Sequence, residues 1–289
     1  GVAMTVAQRT GENFSGPGWW RERAALVAGW SPAVWLFWAV LGGSILVLAA
    51  APWPAAAKFH AILHGLCAQR PSHSFALGGT NLPFDARMTG IYGGALVTML
   101  FLGARGGWRA VRRPTLPLLL ILVAFAVAMG VDGINSTLQD FRLPYLYTPN
   151  NHLRLVTGLL MGIALGVTMT YLLSVTLWAW VRDEAALRGW RELAVLLALA
   201  GGFYLLVVSG WGWLYLPMAV ALATGAVLVV LALALCFLTL AYGRENHATR
   251  PADLAAFATL ALVLGYAVMA LIAAARFYLE LSLGVTLPG

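Results

Sequence analysis

The chain consists of long apolar runs separated by short polar connections. Seven of these runs are apolar on every face, and a helix needs about 20 such residues to cross a hydrocarbon layer of about 30 Å. The pattern therefore predicts membrane-spanning helices rather than amphipathic surface helices. The predicted spans are residues 32–51, 84–103, 115–131, 152–181, 190–209, 216–242 and 254–275.

The composition indicates an all-α, polytopic transmembrane helical bundle. Apolar residue types make up 61% of the 289 residues and charged types only 10%, which leaves too few polar groups to cover a soluble surface. Disorder is excluded because low hydrophobicity is its hallmark. We expect one transmembrane domain over residues 32–275, with motif-bearing outer connections at 52–89 and 132–154. A cytoplasmic segment, 1–31, would precede it, and a short outer tail, 276–289, would follow.

The distribution of basic residues predicts the orientation of the bundle. One side of the predicted topology, with the N-terminal segment and the connections after the second, fourth and sixth spans, carries 12 of the 18 basic residues. Because positively charged loops are retained in the cytoplasm, the N-terminus is expected inside and the C-terminus outside. We expect a bacterial cytoplasmic membrane. The net charge of +7 comes from arginines that flank spans, and this pattern does not favour nucleic acid as a partner.

Glycines within the predicted spans indicate where helices can approach one another closely. The absence of a side chain allows close backbone contact, either within the chain or in a larger assembly. The glycines noted are Gly42, Gly43, Gly201, Gly202 and Gly225.

Charged residues gather at the outer ends of three consecutive spans. Asp85 and Arg87 lie at the start of the second span, Asp132 follows the third, and Arg154 lies near the start of the fourth. Ionisable groups near hydrocarbon are costly unless they are paired, so we expect the pairs Arg87–Asp132 and Asp85–Arg154. Two interpretations stay open: structural ion pairs that hold three helices together, and a binding or catalytic pocket.

Two motifs carry a family resemblance. The first covers residues 67–75 (CAQRPSHSF) and 82–92 (LPFDARMTGIY), and the second covers 132–133 (DG) and 151–158 (NHLRLVTG). Together they resemble the predicted membrane-protein family called domain of unknown function 2085, over about residues 59–166. The resemblance implies a topology and a site location but no reaction. The candidate ligand-binding or structural polar cluster is Asp85, Arg87, Tyr92, Asp132, Asn151 and Arg154.

The first motif departs from the family pattern at its thiols. In that pattern a Cys-His pair opens the motif and a Cys-Ala-Arg-Cys run closes it, a set that would suit zinc or a redox role in an oxidising exterior. This chain keeps Cys67 but has Ala68 in place of the histidine, and Asp85 and Met88 in place of the later cysteines. The ligand set that the resemblance implies is therefore incomplete.

Metal, haem and pigment stay open as cofactors, none with a complete ligand set. His60 and His64 lie four residues apart on one helix face, a spacing that suits haem or a chlorophyll-type pigment. The same spacing suits a helix lying on the membrane, which residues 52–65 predict. A remnant metal site would use the soft ligands and one carboxylate of the first motif. Its residues are His64, Cys67, His73, Asp85 and Met88.

The sequence leaves three functions open. It contains no phosphate-binding loop, no His-Glu-x-x-His motif and no nucleophile elbow. We favour a non-catalytic subunit, or an assembly or ligand-binding component, of a larger membrane complex, with membrane lipids and other membrane protein subunits as partners. The first alternative is an enzyme acting on a lipid or lipid-linked substrate at the outer leaflet. In it, Arg87 and Arg154 would hold an anionic head group and Asp132 would act as acid or base. The second alternative is a small-molecule transporter.

Overall fold

The computed structural model describes residues 31–283, and within them the chain forms a bundle of eight α-helices. The helices are α1 (Pro32–Ala50), α2 (Ala55–Leu63), α3 (Ala86–Ala104), α4 (Leu116–Asp140), α5 (Asn151–Leu177), α6 (Trp190–Val208), α7 (Tyr215–Ala241) and α8 (Ala255–Leu283). The described strands are β1 (Ala76–Leu77), β2 (Thr80–Asn81), β3 (Ala110–Arg112) and β4 (Arg182–Ala185). The predicted N-terminal segment lies outside the described residues, apart from Ser31.

The helices confirm an integral, multi-pass membrane protein. Six segments of the described chain are long and apolar enough to cross a membrane. They are Pro32–Ala50, Leu116–Asp140, Asn151–Leu177, Trp190–Val208, Gly212–Ala241 and Pro251–Ser282. The second predicted span corresponds to α3, which is outside this group of six. At 19 residues α3 is about 28 Å long, and most of its residues are buried among the other helices.

The connections between helices meet at two opposite ends of the bundle. At one end, here called the arginine-rich end, β3 pairs with β4 in parallel, and Ala179 N donates to Ala248 O over 2.9 Å. At the other end, here called the motif end because it carries both sequence motifs, Gly78 N donates to Gly210 O over 2.9 Å. The loops therefore group by side as the sequence predicts. The orientation of the two ends across the membrane stays a prediction.

Glycines set the contact between α3 and α5, the most extensive helix pair in the described residues. A Cβ added at Gly94 would lie 2.7 Å from Leu159 O, and one added at Gly162 would lie 2.6 Å from Ile91 O. Backbone meets backbone here, so only glycine fits, as in small-xxx-small helix pairs. The glycines of this contact are Gly90 and Gly94 on α3, and Gly158, Gly162 and Gly166 on α5.

Of the five glycines noted, Gly225 is the one that makes a close contact with another helix among the described residues. A Cβ at Gly225 would lie 2.5 Å from Tyr92 O, whereas the other four have no atom within 4 Å of the added Cβ among the described residues. Those four glycines therefore form no close contact with another helix among the described residues. Contact in a larger assembly stays a prediction for Gly42, Gly43, Gly201 and Gly202.

Three helix ends differ from the predicted spans by more than two residues. Helix α4 continues to Asp140, nine residues beyond the predicted end at 131, because polar side chains in its last turns find partners within the protein. Helix α5 ends at Leu177, since the next residues pair with the segment around Ala248. Helix α8 continues through the predicted start of the tail at 276 to Leu283, and an Arg276–Glu280 pair one turn apart supports this extension.

We expect opposite effects from adding one methyl group at two helical glycines. Gly162→Ala should lower the free energy of unfolding by about 2 kcal/mol, because backbone atoms of α3 cannot move aside. Gly202→Ala has open space, so it should be neutral or stabilise by up to about 1 kcal/mol through helix propensity. Thermal unfolding in mild detergent measures both, and equal losses at the two positions would contradict the proposed contact.

Candidate functional site

A polar pocket of about 150 Å³ lies at the motif end, between the starts of α3 and α5, the end of α4 and the loop after α2. Most of its lining side chains are charged, and they come from the two outer connections that the sequence singled out. The lining residues are Ala68, Arg70, His73, Asp85, Arg87, Ser136, Thr137, Asp140 and Arg154. The structure therefore brings three of the four predicted charged groups to one cavity, and it places Asp132 behind them.

The helix contact explains why two arginines share this pocket. Arg87 lies in the first turn of α3 and Arg154 in the first turn of α5, and both helices begin at the motif end. Gly90 packs against the carbonyl of Leu155, with 2.5 Å between an added Cβ and that oxygen. Because the backbones are this close, the two guanidinium groups have to extend into the same region. Two positive charges in the same region repel each other, so anionic partners are needed to stabilise them.

Arg87 finds its partner in Asp132 of α4. Arg87 Nη2 lies 2.5 Å from Asp132 Oδ2 and also donates to Asp132 O at 3.2 Å and to Ser136 Oγ at 3.1 Å. The side chain of Asp132 is 1% exposed and that of Arg87 is 21% exposed. The Arg87–Asp132 pair that the sequence predicted is therefore present, and it links α3 to α4.

Asp132 is also bound from its other side. Tyr147 Oη donates to Asp132 Oδ1 over 3.0 Å, and burial together with this hydrogen bond raises the pKa of the Tyr147 phenol, which keeps the donor protonated. The side chain of Asn135 accepts from Leu146 N at 2.7 Å and donates to Tyr147 O at 2.8 Å. The loop between α4 and α5 is thus fixed onto the end of α4.

The second predicted pair, Asp85 with Arg154, does not form. Asp85 Oδ1 accepts from Met88 N at 2.9 Å and so caps the N-terminus of α3. A cap needs only a local side-chain rotation, and it satisfies a backbone donor that has no partner in the helix. Arg154 Nη1 instead donates to the Asn151 amide oxygen at 3.0 Å. Arg154 belongs to no ion pair of the described residues, although the residue is only 6% exposed.

The outer part of the pocket is formed by Arg70, Asp140 and His73. Arg70 Nη1 lies 2.9 Å from Asp140 Oδ2, and both side chains are more than 40% exposed. Burial, followed by the charges of Arg154 and Arg70, lowers the pKa of His73 below its ordinary value. His73 therefore stands in the pocket as a neutral imidazole at neutral pH.

Cys67 is buried as a protonated thiol, which is not the form that binds a metal ion. Its Sγ accepts from Gln69 N and from Asp85 N, both at 3.3 Å. Burial, and to a smaller extent the charge of Asp85, raises the pKa of Cys67 to about 12, whereas metals bind the thiolate. Among the described residues no group of three or more His, Cys, Asp or Glu is arranged to hold a metal ion.

The two histidines considered for haem or pigment have separate local roles. His64 Nδ1 lies 3.3 Å from Gln69 Oε1, its Nε2 lies 3.4 Å from Glu280 Oε1, and its ring stacks on Phe277 with 4.0 Å between centroids. His60 Nδ1 contacts Ala56 O of its own helix at 2.8 Å. His64 Nε2 is buried and has no hydrogen-bond partner among the described residues, and binding of haem or pigment stays a prediction.

The remaining sequence candidates support the site without lining the pocket. Tyr92 lies deeper in α3 and stacks on Phe84, with 4.9 Å between ring centroids. Met88 packs against the hydrophobic core. Asn151 joins the two motifs, because its Nδ2 donates to Ser72 O over 3.0 Å while its Oδ1 binds Arg154.

Arg276 of α8 is a structural contributor that sequence reasoning missed. Its guanidinium donates to His64 O at 2.8 Å, to Cys67 O, and to Ala68 O at 3.1 Å, and its Nε lies 2.7 Å from Glu280 Oε1. It thereby fixes the first motif loop to the last helix. Nothing in the local sequence indicates this contact, because the partners are more than 200 residues apart.

The Arg87–Asp132 pair should behave as a coupled unit in a double-mutant cycle. Asp132→Asn or Arg87→Gln alone should lower the free energy of unfolding by about 3 kcal/mol, since each leaves one buried charge unpaired. The double variant should lose far less than the sum. As a matched control, the exposed Arg70–Asp140 pair should contribute less than about 1 kcal/mol in its own cycle. Additive losses at Arg87 and Asp132, measured by unfolding in detergent, would refute the coupling.

Comparisons with known proteins bear on the same region. No curated protein and no solved structure matches this chain. A family model does match, and its range includes Cys67, Asp85, Arg87, Asp132 and Arg154. Residues 67–168 match the family described as predicted membrane protein (DUF2085), which confirms the resemblance that the two motifs indicate.

Proposed function

We propose that this membrane protein is a non-catalytic binding component whose pocket at the motif end binds a small oxyanion, of the phosphate or carboxylate class. The proposal rests on the environment of Arg154. This side chain is a nearly buried guanidinium that lines the pocket and has an amide, not a carboxylate, as its hydrogen-bonding partner.

The carboxylates near Arg154 act on its charge through space, but each of them binds another group. Asp132 is bound to Arg87, Asp140 is bound to Arg70, and Asp85 caps α3. A charge held away from water is costly unless it is paired. An oxyanion supplies two or three acceptor oxygens, which match the planar donor fork of an arginine. A bound anion would therefore complete the partners of Arg154.

The size of the pocket limits the group that it accepts. Its volume of about 150 Å³ is below the roughly 300–1,000 Å³ of pockets that enclose whole small molecules. The space suits a phosphate-sized or carboxylate-sized group rather than a nucleotide or a large sugar. We therefore propose that the charged group enters the pocket and that any larger part of the ligand stays outside it.

The placement of Asp132 favours binding over the enzyme alternative. An acid or base has to reach the reacting group within hydrogen-bonding distance. Asp132 is 1% exposed and is enclosed between Arg87 and Tyr147, so it supports the pocket from behind. Membership in a larger complex of a bacterial cytoplasmic membrane, with other subunits bound, stays a prediction.

Arg154→Gln should weaken sulfate binding by about tenfold or more, because it removes the charge-assisted hydrogen bonds of an otherwise unpaired cation. Arg142→Gln is the matched control, since Arg142 is an exposed arginine at the same end of the bundle that does not line the pocket. Sulfate affinity is measured by calorimetry on the purified protein at low ionic strength. Unchanged affinity in the Arg154 variant, or an equal loss in both, would contradict the proposal.

Sulfate binding should strengthen as the pH falls through the titration range of histidine. The charges of Arg154 and Arg70 help to hold the pKa of His73 low in the free protein, and a bound dianion would offset them and raise that pKa. Binding then takes up a proton in the window between the free and bound pKa values. Sulfate stays a dianion over this range, so the slope reports the protein. His73→Gln should flatten the slope, and a slope that is unchanged in that variant would contradict the assignment of this proton to His73.

A further inference from the structure

An exposed ion pair between two segments of the chain forms part of the pocket wall. Arg70 lies in the loop after α2, and Asp140 is the last residue of α4. Both side chains line the pocket, and Arg70 Nη1 lies 2.9 Å from Asp140 Oδ2. Because an exposed ion pair contributes little free energy, its partners can be exchanged at little cost.

Asp140 is the least firmly held carboxylate of the site. Among the described residues its side chain hydrogen-bonds to Arg70 alone, whereas Asp132 is bound from two sides and Asp85 caps a helix. Asp140 also ends α4, where the negative end of the helix dipole disfavours a carboxylate. A small change in its surroundings is therefore enough to release it from the pocket.

Arg70 has an anchored backbone and a side chain with unused donors. The neighbouring Gln69 donates to His60 O at 2.9 Å and to Pro83 O at 3.0 Å, which fixes the loop in place. The guanidinium group carries several N–H donors, and among the described residues its one hydrogen bond runs from Nη1 to Asp140. The side chain can therefore turn toward an anion in the pocket while the loop stays where it is.

Arg70 and Arg154 approach the same cavity from different segments, the loop after α2 and the first turn of α5. Both of their charges act on the imidazole of His73, which lines the cavity between them. A carboxylate presents its two oxygens from one side, whereas a tetrahedral anion presents oxygens in several directions. One tetrahedral anion can thus accept hydrogen bonds from both guanidinium groups at once.

We propose that Asp140 is an internal stand-in for the ligand: its carboxylate binds Arg70 until a doubly charged tetrahedral anion displaces it and joins Arg70 to Arg154. This inference rests on the proposed anion-binding function and narrows the ligand to the phosphate and sulfate class. A monocarboxylate gives Arg70 no more than Asp140 already supplies. A tetrahedral dianion gains from the exchange, because it also reaches Arg154, whose single side-chain hydrogen bond leaves donors unused.

Sulfate affinity in a double-mutant cycle tests the displacement, by calorimetry on the purified full-length protein in neutral detergent. Asp140→Asn should strengthen sulfate binding about threefold to fivefold, because an exposed ion pair no longer has to be broken. The same substitution should change the affinity by less than about twofold when Arg70 is already replaced by Gln. Repulsion between Asp140 and sulfate would act in both backgrounds, whereas competition for Arg70 disappears without Arg70.

Asp183→Asn is the matched control for the change in net charge. Asp183 belongs to an exposed pair with Arg112 at the arginine-rich end, so its replacement removes the same charge far from the pocket. Sulfate affinity should stay within about twofold of the wild type, because distant exposed charges are screened.

Acetate tests the ligand class. In the Asp140→Asn protein, adding Arg70→Gln should weaken sulfate binding about fivefold or more, because the dianion loses the charge-assisted hydrogen bonds of one guanidinium. Acetate binding should weaken by less than about twofold, since a monocarboxylate is already satisfied by Arg154. An equal loss for the two anions would overturn the assignment to a tetrahedral dianion.

The outcomes distinguish this inference from the proposed function. If sulfate binds through Arg154 but Asp140→Asn does not strengthen binding, or strengthens it equally with and without Arg70, the displacement is overturned and the anion pocket stands. If sulfate binds to neither the wild type nor the Asp140→Asn protein, both are overturned. Asp140→Ser, which shortens the side chain as well as removing its charge, should give the same result as Asp140→Asn. Both side chains are exposed, so thermal unfolding should differ little among these variants.

Discussion

The close approach of α3 and α5 is the constraint on which the rest of the motif end depends. Glycines at the contact let one backbone lie against the other, and both helices begin at the same end of the bundle. Arg87 and Arg154, each in a first turn, are consequently held side by side in a poorly solvated place. The favourable packing of the two helices partly offsets the repulsion between these two like charges. Carboxylates from the surrounding segments lie close to them.

Each carboxylate binds a partner that its side chain can reach, and this partner is not always an oppositely charged group. Asp132 projects from α4 toward Arg87, and Tyr147 holds it there. Asp85 lies at the N-terminus of α3, where the backbone N–H of Met88 is a closer and better oriented partner than a guanidinium on another helix. As a result Arg154 has no ion-pair partner among the described residues, although Asp132, Asp140 and Asp85 act on its charge through space. The three arginines and three aspartates of the site balance in charge, so Arg154 is distinguished by its unused hydrogen-bond donors rather than by an excess of positive charge.

Sequence patterns predict the features that are local or compositional. Apolar runs predict the spans because hydrocarbon excludes unpaired polar groups, and the cost of isolated charges correctly predicts the Arg87–Asp132 pair. Sequence patterns do not predict contacts between residues that lie far apart in the chain. The extension of α4 to Asp140 depends on partners for its polar residues, which hydropathy does not register. The role of Arg276 depends on carbonyl oxygens more than 200 residues away, and nothing in the sequence shows which glycines face another helix.

The positions at which this chain departs from the thiol pattern that the resemblance implies have consistent structural roles. Cys67 remains, but two backbone N–H groups and burial hold it as a neutral acceptor within the loop, and Arg276 binds the carbonyls around it. Asp85 and Met88, at the positions of the later cysteines, serve as a helix cap and as core packing. The loop around Cys67 is held by hydrogen bonds from an arginine of the last helix. The arginine pocket beside it is the part of the motif end whose charged side chains border an open cavity.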